Sequence, residues 1–360
     1  MSQVKKIYLI DRLSQLGTQL CNPDEALSFL INTEKHYNAW FTPLNTINAV
    51  KAIGKMLNAP DLATWLAMED GKGKMENVSD QSEITTSSIL PPTSSIKTVG
   101  LILAGNIPLV GFHDVLCVLA SSHHAMIKAS SQDERLIKHI LNMLAEIAPE
   151  FSGSFSFVER LAGFDAVIAT GSNNTSRYFE YYFGKVPHII RKNRNSVALL
   201  TGNETKEQLF LLGHDIFDFF GLGCRNVSKL LVPRGHNFTP FFEAIEPHNM
   251  IIDHHKYRNN YDYNKSIYLV NGDQHLDNGF LLVKEDSRMA SPLAVLYFEY
   301  YDSLSTAVKR LAAISDDIQC VVTGEKLNLP NQIVDFGKSQ QPKLWDYADG
   351  VDTMAFLAGI

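Results

Sequence analysis

The residues with the most chemical reach in this chain are four cysteines, Cys21, Cys117, Cys224 and Cys320, and they stand far apart. No CxxC pair joins them, so neither a zinc site nor a disulfide framework is expected. A reducing cytoplasm is the compartment that fits, and there a lone thiol is either inert core or chemistry. Cys117 and Cys320 lie in continuous apolar runs and read as core, while Cys21 reads as a helix-end residue. Cys224 differs: it sits in GLGCRNVSKLLVP, 221–233, between glycine-rich backbone and an apolar strand pattern. A thiolate there would be a nucleophile, splitting one hard acyl transfer into two easier steps through a thioester. Arg225 beside it would lower the thiol pKa.

Phosphate-facing groups come next. Gly171 and Ser172 stand between a strand pattern and a helix pattern, where free N–H groups and the helix dipole favour phosphate. Lys128 ends a short strand, the place where a doubly wound sheet meets the ribose of a dinucleotide. Ser130 and Ser131 follow it, with no acidic residue to accept from both ribose hydroxyls. Lys128 and the serines suit a 2′-phosphate, so NADP(H) is expected, with NAD(H) left open. The chain has no GxGxxG fingerprint. Adjacent histidines, His123–His124 and His254–His255, point apart on a regular element, and no carboxylate frame completes a metal site. His188 and His214 lie near these segments as candidates for proton transfer, and nothing in the sequence selects either.

These side chains need elements to hold them. The first 70 residues read as helices, one opening at Pro23–Glu25, one capped by Thr42 with Pro43 first, one from Pro60. Residues 71–96, rich in Ser, Thr, Gly and Pro, read as a connector. Strands at 98–104, 125–128, 154–158, 164–170 and 196–200 then alternate with helices, which means βαβ units and a parallel sheet covered on both faces. Ser131 and Glu134 read as a capping box on one of those helices. A helix over 205–220 leads to Cys224, and further strands are expected near 228–232, 267–271, 279–283, 293–298 and 318–323. The fold class is therefore α/β, with a helical N-terminal segment, a Rossmann-type cofactor domain over 1–200, a second αβ catalytic domain over 201–335, and a tail, 336–360. The net charge of −7 argues against a nucleic-acid surface. No run of about 18 apolar residues predicts a membrane span. The start, MSQVKKIYLI, lacks the apolar core and cleavage site of a signal peptide.

Four segments, AGNIPL (104–109), MIKASS (126–131), FDAVIATGSNNTSRYF (164–179) and GLGCRNVSKLLVP (221–233), together resemble the aldehyde dehydrogenase superfamily in matching order. Over about 95–340 the chain looks most like its acyl-CoA reductase branch, the LuxC-type fatty acid reductases. The resemblance implies that Asn106 and the Cys224 N–H hold the developing oxyanion, and that the turn at Gly171 and Ser172 approaches the cofactor pyrophosphate. NAD-preferring members often carry glutamate where Ser131 stands. Two departures matter. Arg191 falls where hydrolytic members place a water-activating glutamate, and a guanidinium is no general base. Arg288 falls where a second glutamate positions the nicotinamide ribose. Both losses fit an enzyme that forms its thioester from an acyl-CoA, or another activated acyl group, and releases it by hydride as an aldehyde. An ordinary aldehyde dehydrogenase, or an acyltransferase or thioesterase without a nicotinamide, are the rival readings. Arg191 and Arg194, with Lys192, would either meet phosphates of coenzyme A or the cofactor, or form a solvated basic turn. Phe336 and Gly337 fit the family's closing turn, after which a final strand often meets a neighbouring subunit; this hints at a homodimer. Reactive aldehydes also make an acyl-transferring or aldehyde-consuming partner an expectation.

Overall fold

The computed structural model describes residues 3–72 and 96–360. The expected connector falls almost wholly outside them. Four helices come first: α1 (Gln3–Cys21), α2 (Glu25–Thr33), α3 (Pro43–Met56) and α4 (Ala59–Lys72). Local chemistry sets two starts: the Asp24 carboxylate accepts the Leu27 N–H, and the Thr42 hydroxyl accepts the Asn45 N–H ahead of Pro43. Their apolar faces, with Leu16, Leu20, Leu27, Leu57 and Trp65 fully enclosed, join the core beneath the first sheet.

That sheet follows: β1 (Thr98–Ile102), α5 (Phe112–Ala120), β2 (His124–Lys128), α6 (Glu134–Ile147), β3 (Phe155–Phe157), β4 (Ala166–Thr170), α7 (Asn173–Phe183) and β5 (His188–Arg191). Its strands are all parallel, in the order β3-β2-β1-β4-β5. The winding reverses between β1 and β4, so the loops leaving those strands part and open a crevice at their C-terminal ends. The second sheet comprises β6 (Asn195–Leu199), α8 (Lys206–Phe217), β7 (Val227–Pro233), α9 (Thr239–Ile245), α10 (His255–Asn271), β8 (Leu276–Asp277), β9 (Leu282–Glu285), β10 (Val295–Tyr301), α11 (Leu304–Ala313), β11 (Ile318–Val322) and β12 (Gln332–Val334), and α12 (Thr353–Ala358) closes the chain. Its order is β12-β11-β6-β7-β10-β9-β8, with β8 antiparallel to β9.

Three expectations change. The sheets part at 192–194 rather than near 200, because β6 pairs with β7 and β11. Residues 267–271 are not a strand but the last turns of α10: Tyr257, Tyr261, Asn264 and Tyr268 repeat at helical spacing on its buried face, and Gly272 ends it at φ 70°. Ser131 caps nothing: α6 starts at Glu134 after Asp133, whose carboxylate instead takes the Leu109 N–H at 2.6 Å. The tail packs against its own chain. Leu344, Tyr347, Met354 and Leu357 join the first core, and the Trp65 indole donates to the Tyr347 hydroxyl at 2.8 Å. The turn that redirects it, at Gly337 (φ 75°), is held by Asp215, a buried carboxylate accepting the Gly337 and Ser339 N–H groups.

Candidate active site

Cys224 is the second residue of a tight turn, Gly223 to Asn226, closed by the Asn226 N–H on the Gly223 carbonyl at 3.0 Å. Asn226 is 3% exposed and pins this turn from beneath. Its Oδ1 accepts the Gly223 N–H at 2.9 Å, and its Nδ2 donates to the carbonyls of Asp218 at 2.8 Å and Asp215 at 3.2 Å, at the end of α8. The Ser196 hydroxyl, on β6, donates to the Cys224 carbonyl at 3.0 Å. Just upstream, Phe219 and Phe220 are left-handed, at φ 54° and 60°. Such backbone costs on the order of 1–3 kcal/mol per residue and gathers at functional sites. Phe220 is retained by its packing: its ring lies 4.2 Å from that of His254 and 5.2 Å from that of Trp40.

Asn106 reaches this turn from the first sheet. It lies in the loop after β1, and its Nδ2 donates one hydrogen to the Leu222 carbonyl at 2.8 Å, two residues before Cys224. The same loop packs so closely that a Cβ on Gly105 would come within 2.3 Å of the Ser130 Oγ and 2.6 Å of its Cβ. Asn38, from the helical segment, donates to the Gly105 carbonyl at 3.3 Å. The C-terminal edge of the first sheet thus meets the N-terminal edge of the second, with Cys224 and Asn106 at the seam.

The thiol is half-buried, and burial pushes its pKa above the ordinary value. The Arg194 backbone N–H opposes that shift, and the Asp349 carboxylate adds to it. Arg225 does not bear on the thiol as expected: its guanidinium turns away to Gln332 Oε1 at 2.8 Å and the Ser339 carbonyl at 3.1 Å. Arg191 corrects both readings made for it. It is 4% exposed, neither a solvated turn nor open to phosphate. It grips Asp114 with two hydrogen bonds, of 3.1 and 2.7 Å, and donates to the Ala348 carbonyl and the Thr353 hydroxyl. Arg194 lies 3.4 Å from Asp349 and from the Ile318 carbonyl, while Lys192 pairs with Glu180 at the surface. His214 pairs with Asp218 at 3.1 Å, and His188 hydrogen-bonds the Val186 carbonyl.

The remaining candidates sit at or just beyond the C-terminal ends of β2 and β4. Lys128 ends β2 exposed, Ser131 is exposed beyond it, and Ser130 accepts the Gln132 N–H at 3.3 Å. Gly171 follows β4 and lies so near α7 that a Cβ would come within 2.8 Å of Phe179. Ser172 caps α7 by accepting the Thr175 N–H at 3.2 Å. Sequence reasoning missed two residues at the seam. Asn226 carried a signal, a polar side chain two places past Cys224, but Asp349 carried none, since only the returning tail brings it there. Among the described residues no group of three or more His, Cys, Asp or Glu is placed to hold a metal ion, and no helix is long and apolar enough to cross a membrane.

No family model and no curated protein matches this chain. Solved structures do. Aldehyde dehydrogenase 21 from Physcomitrella patens, in complex with succinate, superposes with a TM-score of 0.65 at 12% identity, over 97% of this chain and 83% of that one. An indole-3-acetaldehyde dehydrogenase complexed with NAD+ gives 0.61 at 14% identity, over 93% and 76%. A 3,6-anhydro-L-galactose dehydrogenase in complex with NADP gives 0.59 at 12%, over 91% and 78%. The fold is that of the aldehyde dehydrogenases.

Proposed function

We propose that this chain is a nicotinamide-dependent oxidoreductase of the acyl-CoA reductase kind, reducing an acyl thioester to an aldehyde through an acyl-enzyme on Cys224. The observation that carries the reading is the seam: a cysteine on a pinned turn, with an asparagine amide from the other sheet held beside it. The crevice residues fit a dinucleotide. The capped start of α7 suits a pyrophosphate, and exposed Lys128 with Ser130 and Ser131 suits the 2′-phosphate of NADP(H). When bound, the nicotinamide supplies the hydride.

The chain's own residues do the rest. Cys224 attacks the acyl carbonyl, and its N–H together with the Asn106 amide meets the oxyanion. A preorganised donor of this kind contributes about 3–4 kcal/mol. The thiol of coenzyme A, or of an acyl carrier, leaves. Asn226 and Ser196 keep the turn from relaxing between steps. Arg191 favours release by hydride over hydrolysis, because the strand end from which a water-activating carboxylate would act carries a buried guanidinium locked on Asp114. We further propose a cytoplasmic setting in which a partner delivers the acyl group or takes up the aldehyde.

The test incubates the protein with NADPH or NADH and a panel of acyl-CoA esters, following cofactor absorbance and free thiol together. Coupled loss of absorbance and release of thiol, with aldehyde as product, supports the proposal. Thiol release without cofactor oxidation makes the chain a transferase or thioesterase instead. Oxidation of aldehydes to free acids would make it an ordinary aldehyde dehydrogenase. Light scattering on the same preparation decides between monomer and homodimer.

A further inference from the structure

We infer that Asn38, in the turn that joins α2 to α3, is a positioning residue for the oxyanion hole, holding the Asn106 loop of the first sheet in register with the arm that carries Cys224 in the second. This rests on the reading of Cys224 as an acyl-accepting nucleophile. Asn106 and the Cys224 N–H belong to different sheets, and donors aimed at developing charge work only when their places are fixed before the reaction.

The turn touches each part that must be held. Asn38 is 5% exposed, and its Nδ2 donates at 3.3 Å to the carbonyl of buried Gly105, the residue before exposed Asn106. Its Oδ1 accepts the Trp40 N–H at 3.1 Å, which shapes the turn itself. The next two residues hold the Cys224 arm. The Ala39 carbonyl accepts from His254 Nε2 at 2.9 Å, and the Trp40 ring stacks on His254 at 4.9 Å and meets Phe220 at 5.2 Å. Phe220 is one of the two left-handed residues just before the Cys224 turn. The start of the segment is anchored as well: buried Glu34 pairs with Arg135 of α6 at 3.2 Å, and the Arg135 guanidinium lies 4.0 Å from the Tyr37 ring centroid. Asp133, just ahead of α6, holds the Leu109 N–H. The Asn106 loop is thus tied at Gly105 by the turn and at Leu109 from the start of the helix on which the turn docks.

Asn38 meets no reacting atom, so its effect passes through Asn106. Without the Asn38 amide the buried Gly105 carbonyl loses a donor, and the peptide that leads into Asn106 is freed to turn. The Asn106 amide then leaves the place where the oxyanion forms, and a misplacement of about 1 Å at such a site costs about 100-fold. The Cys224 turn itself keeps its own supports, the Asn226 and Ser196 hydrogen bonds.

The test is a double-mutant cycle on single-turnover acylation of Cys224 by acyl-CoA. Asn38→Ala alone slows acylation by about 10- to 100-fold. In an Asn106→Ala background, where no amide is left to misplace, the same substitution changes the rate by less than about twofold. A merely structural role would slow both backgrounds equally. Equal slowing overturns the proposal, and so does a change below about twofold in the single variant. Alkylation of Cys224 by iodoacetamide, which forms no oxyanion, stays within about twofold of wild type in Asn38→Ala; a loss as large as that in acylation overturns the proposal. Asn38→Ser is the second variant, for use should the first fail to fold: its hydroxyl can still accept the Trp40 N–H but is too short to reach Gly105. If the wild type takes no acyl group from any acyl-CoA, the acyl-CoA reading has failed, and the same cycle is run with p-nitrophenyl acetate. A chain that this ester does not acylate either has no working oxyanion hole, and the proposal falls with it.

Discussion

Removing Asp114 exposes how the tail is fastened to the site. Arg191 and Asp114 have side chains only 4% and 11% exposed, joined by two parallel hydrogen bonds. Asp114→Ala takes both acceptors away. The guanidinium stays charged at any accessible pH, so a buried cation keeps the Ala348 carbonyl, the Thr353 hydroxyl and the more distant charge of Asp349, and loses its direct carboxylate partner. Breaking a buried pair in this way costs about 3–5 kcal/mol, a large part of the roughly 5–15 kcal/mol that holds a typical protein together. With a urea slope of about 3 kcal/mol per M, the unfolding midpoint drops by about 1–1.7 M. Pairing Asp114→Leu with Arg191→Met removes both charges and recovers most of the loss, because an apolar pair of similar volume is neutral or better. Urea titration followed by far-UV circular dichroism gives both numbers. A loss below about 1 kcal/mol in the single variant would mean solvent screens the pair as it screens surface bridges, and the reasoning would fail.

Three further outcomes are expected. Gly105→Ala drives a Cβ into Ser130, at 2.6 Å from its Cβ, and shifts the Asn106 loop; acyl-enzyme formation falls by about 10- to 100-fold, read by rapid quench, with little change in secondary structure. Tyr347→Phe leaves the Trp65 indole N–H buried without that acceptor and costs about 1–3 kcal/mol by chemical denaturation; no measurable loss would show that water replaces the hydroxyl. Asp215 is pushed up to about 6, mainly by burial, against the pull of the Gly337 and Ser339 N–H groups. Its folded-state pKa lies above the unfolded one, so its contribution to stability is full below about pH 4 and is lost as pH rises through 6. Carboxyl-carbon NMR titration with a midpoint below 4 contradicts this.

What was legible in the sequence was local. Strand patterns at 98–104 and 125–128, observed as 98–102 and 124–128, the Thr42–Pro43 cap and the buried run Ile137, Ile140, Leu141 and Leu144 each announce themselves within a few residues, because period and capping are short-range. Ser131 and Glu134 matched a capping box by spacing alone, but Asp133 starts the helix while its carboxylate serves the Leu109 loop. Val270 and Leu269 looked like strand, yet both are exposed on a helix set by the tyrosines before them. Arg191 belongs to a short strand whose charge is answered from α5, 77 residues away, and nothing near it announces Asp114. Asp349 is further removed still, since it depends on a turn at Gly337 and on contacts made by the last 25 residues. Side chains placed by long-range partners leave no periodic trace.

Acyl adduct formation tests the central claim most directly. The protein is incubated with an acyl-CoA in the absence of any nicotinamide, then analysed by intact-mass and peptide mass spectrometry. One acyl group must appear on the peptide holding Cys224, fail to appear in Cys224→Ala, form more slowly in Asn106→Ala, and vanish on addition of NADPH or NADH as aldehyde is released. Label on Cys21, Cys117 or Cys320 instead, or cofactor oxidation by Cys224→Ala at the wild-type rate, would contradict the account.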